Sequence, residues 1–184
     1  MVGFERGIPV ALDGDELALA ELIARANRLA GAYGIGRIDM IENRAVGIKS
    51  REVYEAPGAI ALIAAHAALE DVVLTKDEAR LKRPLEQRWT ELVYEGRWFS
   101  PAREAIDAFV DSTQQLVTGE VRLELRPNAA VVTGRRSPHL LYSTELASYG
   151  TGETFPHEAA EGFIKISSLE TELHAARLRA RIEA

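Results

Sequence analysis

The sequence predicts an α+β fold: a mixed domain of short strands and several helices, followed by a C-terminal helical arm. Apolar residues recur at helical spacing in several separate stretches, the first spanning 17–30 and the last clear one 102–116. Short alternating segments bounded by glycine and proline lie between and after them, most clearly around Val121, Leu123 and Leu125. The chain then ends in a highly charged stretch, 167–184, with a narrow apolar stripe. Periods near 3.6 and 2 within one chain of this length are what define the class.

The elements follow in order. Residues 4–12 alternate loosely around Gly7 and Pro9 and meet Asp13-Gly14-Asp15, which reads as a short edge strand and a turn. Leu19, Leu22, Ile23, Ala26, Leu29 and Ala30 keep helical spacing, and Gly31 stands where a C-cap belongs. Gly34 and Gly36 allow a sharp turn into a strand-like run, 36–55. Pro57 suits the first turn of a helix, and 59–69 is apolar nearly all round, as a buried helix is. Thr75 with Glu78 three residues on forms a capping box. Pro84 falls inside that next helix; at a cost of about 3 kcal/mol in a helix interior, it predicts a break or a fresh start there. The helical pattern continues to residue 95 with Trp89, Leu92 and Val93 on one face.

Ser100-Pro101 is a cap followed by a helix-starting proline, and Ala105, Ile106, Phe109, Val110 and Leu116 line one side of the helix after it. Gly119 ends that stretch. An alternating strand leads to a Pro127-Asn128 turn and a return strand over 130–133, closed by Gly134. Residues 137–156 read as irregular, Phe163-Ile-Lys-Ile166 as a short strand, and 167–184 as a helix.

Composition narrows the function classes. The 184 residues suit one domain with at most an appended element. A net charge of −6 disfavours nucleic acid and anionic membrane as partners, and Arg80-Leu-Lys-Arg83 reads as a solvated helix face. The absence of cysteine excludes disulfides, thiolate metal ligands and a cysteine nucleophile. The longest apolar run, 59–65, is too short to span a bilayer, and the N-terminus lacks a secretory pattern. A cytoplasmic protein is the expectation.

Several motif fragments carry no chemistry. Gly34-Ile-Gly36 lacks the third glycine of a dinucleotide loop and precedes a strand. Gly47-Ile-Lys-Ser50 lacks the spacing of a phosphate-binding loop. His157-Glu-Ala-Ala-Glu161 lacks the second histidine of a zinc helix, and the four histidines form no cluster, so no metal is expected. Gly134-Arg-Arg-Ser-Pro138 reads as a solvated turn after a strand, and no residue is assigned a catalytic role.

The run 36–55 is different. Ile38, Met40, Ala45, Val46 and Ile48 supply an apolar side expected to be buried, and between them stand Glu42, Arg44, Lys49, Ser50, Arg51 and Tyr54. Charged groups in strands need partners or a solvated pocket. The segment is therefore either one wall of a small-molecule site or a salt-bridged structural strand. A carboxylate beside hydroxyl and cationic donors would suit an amino-acid zwitterion.

The same run resembles the Gly-x-Gly-Arg, Glu-Asn-Arg, Lys-Ser-Arg and Tyr-Glu signature of the argininosuccinate synthase family. Glu91-Leu-Val-Tyr94 with Gly96, Trp98 and Ser100-Pro101 also follows the family pattern in order. So do Gly119-Glu-Val-Arg-Leu123, Gly134-Arg-Arg-Ser137, Leu141-Tyr142 and Gly162-Phe-Ile164.

That resemblance covers the C-terminal half of the family's sequence. It implies a synthetase, citrulline-binding domain over 1–166 and an oligomerisation helix over 167–184. The family condenses citrulline with aspartate at the expense of ATP, releasing AMP and pyrophosphate. Its Glu and Tyr citrulline contacts carry over to Glu42 and Tyr54. The ATP co-substrate, with Mg, is bound by a Ser-Gly-Gly-x-Asp-Thr-Ser loop in an N-terminal nucleotide-binding domain; no such loop occurs here. The resemblance thus implies a chain inactive alone that assembles as a homo-oligomer, a tetramer in the family, through its last helix. The other reading is a non-catalytic interaction or amino-acid-binding module derived from that family.

Overall fold

Arg6 and Gly7 both take left-handed backbone angles, φ 47° and 81°. Two consecutive positive values make a two-residue turn that matches the twist of its flanking strands. They join β1 (Val2–Glu5) to β2 (Ile8–Leu12), so the single edge strand expected over 4–12 is a hairpin. Arg-Gly lacks the Asn-Gly or Asp-Gly signal that marks such turns in a sequence. The computed structural model describes residues 1–147 and 158–182.

The hairpin belongs to a five-stranded antiparallel sheet of order β3-β2-β1-β6-β7, completed by β3 (Asp15–Glu16), β6 (Gly119–Arg126) and β7 (Ala129–Arg136). β1 is its central strand, pairing Val2 with Val121 of β6. The Pro127-Asn128 turn is as expected, with Asn128 at φ 60°. β7 continues through Gly134, so Arg135 and Arg136 are strand residues rather than a solvated turn. Arg135 Nε donates to the Ala68 carbonyl at 2.9 Å, which holds them there.

Helices α1 (Leu19–Gly31) and α2 (Pro57–Val73) pack against each other and on the sheet. Leu22, Ala65, Ala68, Leu69 and Val73 meet Val2, Phe4, Leu12, Val117 and Val121 in the principal core. Burying each large aliphatic side chain stabilises by about 1.5–3 kcal/mol. Gly31 is the last helical residue, with Ala32 at the cap; the left-handed turns come after it, at Gly34 and Gly36.

α3 (Lys76–Tyr94) opens on the expected capping box: Thr75 Oγ1 accepts from the Glu78 N–H, and Glu78 accepts from the Thr75 N–H. Its Pro84 breaks nothing. Pro84 and Arg80 are both exposed, so the carbonyl that loses its amide partner faces water. The other face buries Lys82 and Leu92 and holds the helix straight through. α4 (Pro101–Thr113) starts at Ser100, whose Oγ accepts from the Ala102 N–H at 3.3 Å.

The chain divides into two compact units, Met1–Tyr142 and Ser143–Ala184. The second contains the short α5 (Thr144–Ala147) and α6 (Glu158–Ile182). The strand expected at Phe163–Ile166 is instead helical, and the terminal helix starts well before residue 167. A four-residue run of mostly apolar residues is ambiguous by itself; here the Glu161–Lys165 pair, four apart and 2.7 Å in length, bridges one helical turn into it. Residues 148–156 of the expected irregular stretch, and His157, lie outside the described residues; its described part contains α5. No described helix is long and apolar enough to cross a membrane.

Candidate functional site

The signature segment folds as a second, two-stranded sheet, β4 (Arg37–Asn43) with β5 (Lys49–Glu55). Its base is fixed by Gly36, at φ 84°, where a Cβ would fall 2.5 Å from the Pro57 backbone at the start of α2. Only glycine fits that approach. The Ala56 N–H donates to the Gly36 carbonyl at 2.9 Å, tying the two ends of the ribbon together. At the far end, Arg44 N–H donates to the Ile48 carbonyl at 2.9 Å and Gly47 turns with φ 80°.

Register assigns the faces. Arg37↔Glu55, Asp39↔Val53, Ile41↔Arg51 and Asn43↔Lys49 lie on one side; Ile38↔Tyr54, Met40↔Glu52 and Glu42↔Ser50 lie on the other. The first face carries most of the signature's cations, each already partnered. Arg51 donates to Asp39 with two bonds of 2.8 and 2.6 Å, Arg37 pairs with Glu55 at 3.3 Å, and Lys49 donates to Asn43 at 2.7 Å. Of the six candidate residues, then, Lys49 and Arg51 are separated from Glu42, Ser50 and Tyr54.

The expected buried side is not buried: Ile38 is half-covered, Met40 is 41% exposed, and Val46 and Ile48 are more so. The ribbon is a single layer, and no described element covers either of its faces fully.

On the second face Tyr54 Oη donates to Glu42 Oε2 at 3.3 Å. Loss of water around its ring, followed by the charge of Glu42 and the bond to it, raises the Tyr54 phenol above its usual pKa. Tyr94, the last residue of α3, joins them. Its phenol is raised as well, first by loss of water and then by the neighbouring Glu42 carboxylate, with Arg44 opposing. Both phenols are therefore protonated donors at neutral pH. Sequence reasoning included Tyr94 in a family run but gave it no part in the site.

Glu42 is thus a carboxylate bonded to the Tyr54 phenol with Tyr94 beside it, and the signature cations Lys49 and Arg51 are turned to the opposite face. An unneutralised carboxylate flanked by neutral donors is suited to a cationic ammonium group.

A second polar cluster lies between α2, α3 and α4. Lys82, only 3% exposed, contacts Glu70 at 3.0 Å and also Glu86. Gln114 Nε2 donates to Glu70 Oε1 at 2.6 Å, and its Oε1 lies 2.9 Å from His66 Nε2. A cleft of about 760 Å³ opens beside them. Every buried group in this cluster has a partner, which is the pattern of a structural network. Among the described residues no group of three or more metal-ligating side chains is placed to hold an ion.

A family model described as the arginosuccinate synthase C-terminal domain matches residues 1–174. The chain belongs to the argininosuccinate synthase family. It is 54% identical over 168 residues to the argininosuccinate synthase of Rubrobacter xylanophilus. That match covers 91% of this chain and 41% of the relative, so the chain spans about two-fifths of the length of that synthase. The matched region contains the whole ribbon and the α3–α4 hairpin of this family member.

Proposed function

We propose that this chain is the C-terminal part of an argininosuccinate synthase. It contributes citrulline contacts to the ATP-dependent condensation of citrulline and aspartate, which yields argininosuccinate, AMP and pyrophosphate in arginine biosynthesis. The observation that carries this reading is the Tyr54–Glu42 hydrogen bond of 3.3 Å, made on one face of the ribbon by the two signature positions assigned to citrulline. Glu42 takes the substrate's α-ammonium, and Tyr54 donates at the same amino-acid end. Neither moves a proton in the reaction; both orient. ATP, with Mg, is held outside these 184 residues, since the sequence contains no Ser-Gly-Gly-x-Asp-Thr-Ser loop. The chain alone is therefore inactive as a ligase, and α6 assembles it as a homo-oligomer.

A chimera tests the reading: this chain in place of the matching segment of the R. xylanophilus synthase. Glu42→Gln keeps the shape and removes the charge facing the ammonium, so citrulline KM rises at least about tenfold. Tyr54→Phe raises it less, because a neutral donor contributes less. ATP KM stays constant in both. An unchanged citrulline KM with a raised ATP KM refutes the assignment. A second reading is a stand-alone amino-acid-binding or co-assembling module; citrulline binding by the unfused chain, with no gain of activity on fusion, supports it.

A further inference from the structure

Ser50 Oγ is buried and has no hydrogen-bond partner, the only such side-chain oxygen or nitrogen among the described residues. Buried hydroxyls are almost always paired, and one left unpaired costs about 1–3 kcal/mol. This one faces Glu42 directly across the β4–β5 ladder. Directly opposed residues place their Cβ atoms about 4.5–5.5 Å apart, so a serine hydroxyl is within reach of a facing glutamate carboxylate.

Glu42 does not use it. Its side chain leans back along the ribbon, past the Met40↔Glu52 pair, to Tyr54, which stands opposite Ile38. The bond it finds there, at 3.3 Å, is long for an O–H donor on a carboxylate. Glu52, opposite Met40, is a like charge on the same face. In the free chain, then, the carboxylate makes one long bond to a distant phenol while the hydroxyl directly opposite it goes unpaired.

We propose that Ser50 is a positioning residue of the amino-acid site, whose hydroxyl donates to the Glu42 carboxylate when that carboxylate engages a ligand's ammonium. The proposal rests on the citrulline reading above and adds a residue to it. With Ser50 on one oxygen, Glu42 stands upright over the turn end of the ribbon and presents its other oxygen to the ligand. The phenols of Tyr54 and Tyr94 are released to donate to the ligand. Arg44, whose charge already acts on Tyr94, stands at that same end. The unpaired hydroxyl is a cost in the free chain that ligand binding recovers, the signature of a group retained for function rather than for folding.

Two measurements separate this from a structural role. Ser50→Ala removes a hydroxyl that bonds to nothing in the free chain, so the melting temperature of this chain stays unchanged or rises. In the chimera the same substitution raises citrulline KM by roughly two- to tenfold, leaves ATP KM and kcat unchanged, and Ser50→Thr restores the original KM. Glu42→Gln serves as the control. If Glu42→Gln raises citrulline KM and Ser50→Ala does not, the Ser50 proposal is overturned and the citrulline reading stands. If neither raises it, both fall. A drop of several degrees in the melting temperature of Ser50→Ala also overturns the proposal, since the hydroxyl would then be part of the fold.

Discussion

Replacing Lys82 by methionine removes the centre of the polar network between α2 and α3. Methionine matches the lysine stem in length, so the change leaves little cavity and tests the charge. Removing one partner of a buried ion pair costs about 3–5 kcal/mol, because it strands the other charge. Of the two carboxylates, Glu86 has a half-exposed side chain and rehydrates; the side chain of Glu70 is 15% exposed and cannot do so fully. Glu70 still keeps the 2.6 Å bond from Gln114. The cost therefore falls at or just below that lower end, about 2–3 kcal/mol, or a fall of roughly 5–10 °C in melting temperature for a chain of this size. Urea denaturation of this chain, read by circular dichroism, measures it. Adding Glu70→Gln to Lys82→Met recovers most of the loss, since no charge is then stranded. Equal stability of Lys82→Met and the parent would show that the pair contributes nothing, and the reasoning would fail. The pH dependence has a definite sign. Burial lowers the Lys82 pKa, but the bonds to Glu86 and Glu70 outweigh it, and the value ends above the ordinary 10.5. A raised folded value means this contribution is full below pH 10.5 and is lost as the pH climbs through the folded pKa.

Two other predictions follow from the helices. The Thr75 hydrogen bonds hold the Glu78 carboxyl below its ordinary pKa of 4.5, so the capping box stabilises at neutral pH and weakens as the pH falls through the folded value. Thr75→Ala costs about 0.5–2 kcal/mol at pH 7, and the gap between parent and variant narrows in acid; a gap that widens in acid contradicts the pairing. Deleting residues 167–184 removes Leu169 and Leu173, 54% and 73% exposed on α6, and lowers the mass seen by light scattering if α6 assembles the chain; an unchanged mass would mean that it does not.

Much of the fold was legible because its signals are local. Thr75 with Glu78, Ser100-Pro101 and Pro127-Asn128 each specify a backbone event within four residues, and each formed as expected. What was not legible depends on neighbours distant in sequence. Pro84 is tolerated because that side of α3 faces water, and Lys82 meets Glu70 across two helices. In the candidate site, the residues were legible and their grouping was not. The ladder pairs Glu42 with Ser50, and every pair keeps the same parity: even residues on one face, odd on the other. A turn one residue longer or shorter would have put Lys49 and Arg51 beside Glu42. Without the turn's position, alternation shows that there are two faces but not who shares them.

That division of faces is what makes a short ribbon a candidate site. An isolated two-stranded hairpin is marginal in water, and this one has little core: Ile41 and Val53 are 58% and 66% exposed. Its Arg51–Asp39, Arg37–Glu55 and Lys49–Asn43 pairs are surface contacts, each of small energy. Their larger effect is one of placement. Each occupies a cation on the odd face that would otherwise be free to neutralise Glu42. The even face then has the carboxylates of Glu42 and Glu52, a serine and the Tyr54 phenol, with Tyr94 of α3 beside Glu42 and Arg44 at the turn. A ligand carrying both an ammonium and a carboxylate finds there an anion for the first and neutral donors for the second. Reversing the Arg51–Asp39 pair would leave the ribbon's net charge unchanged and keep both charges on the odd face. Moving a cation to the even side, as in Ser50→Lys, would instead neutralise Glu42 directly. The first change should leave citrulline KM near its parent value, and the second should abolish binding.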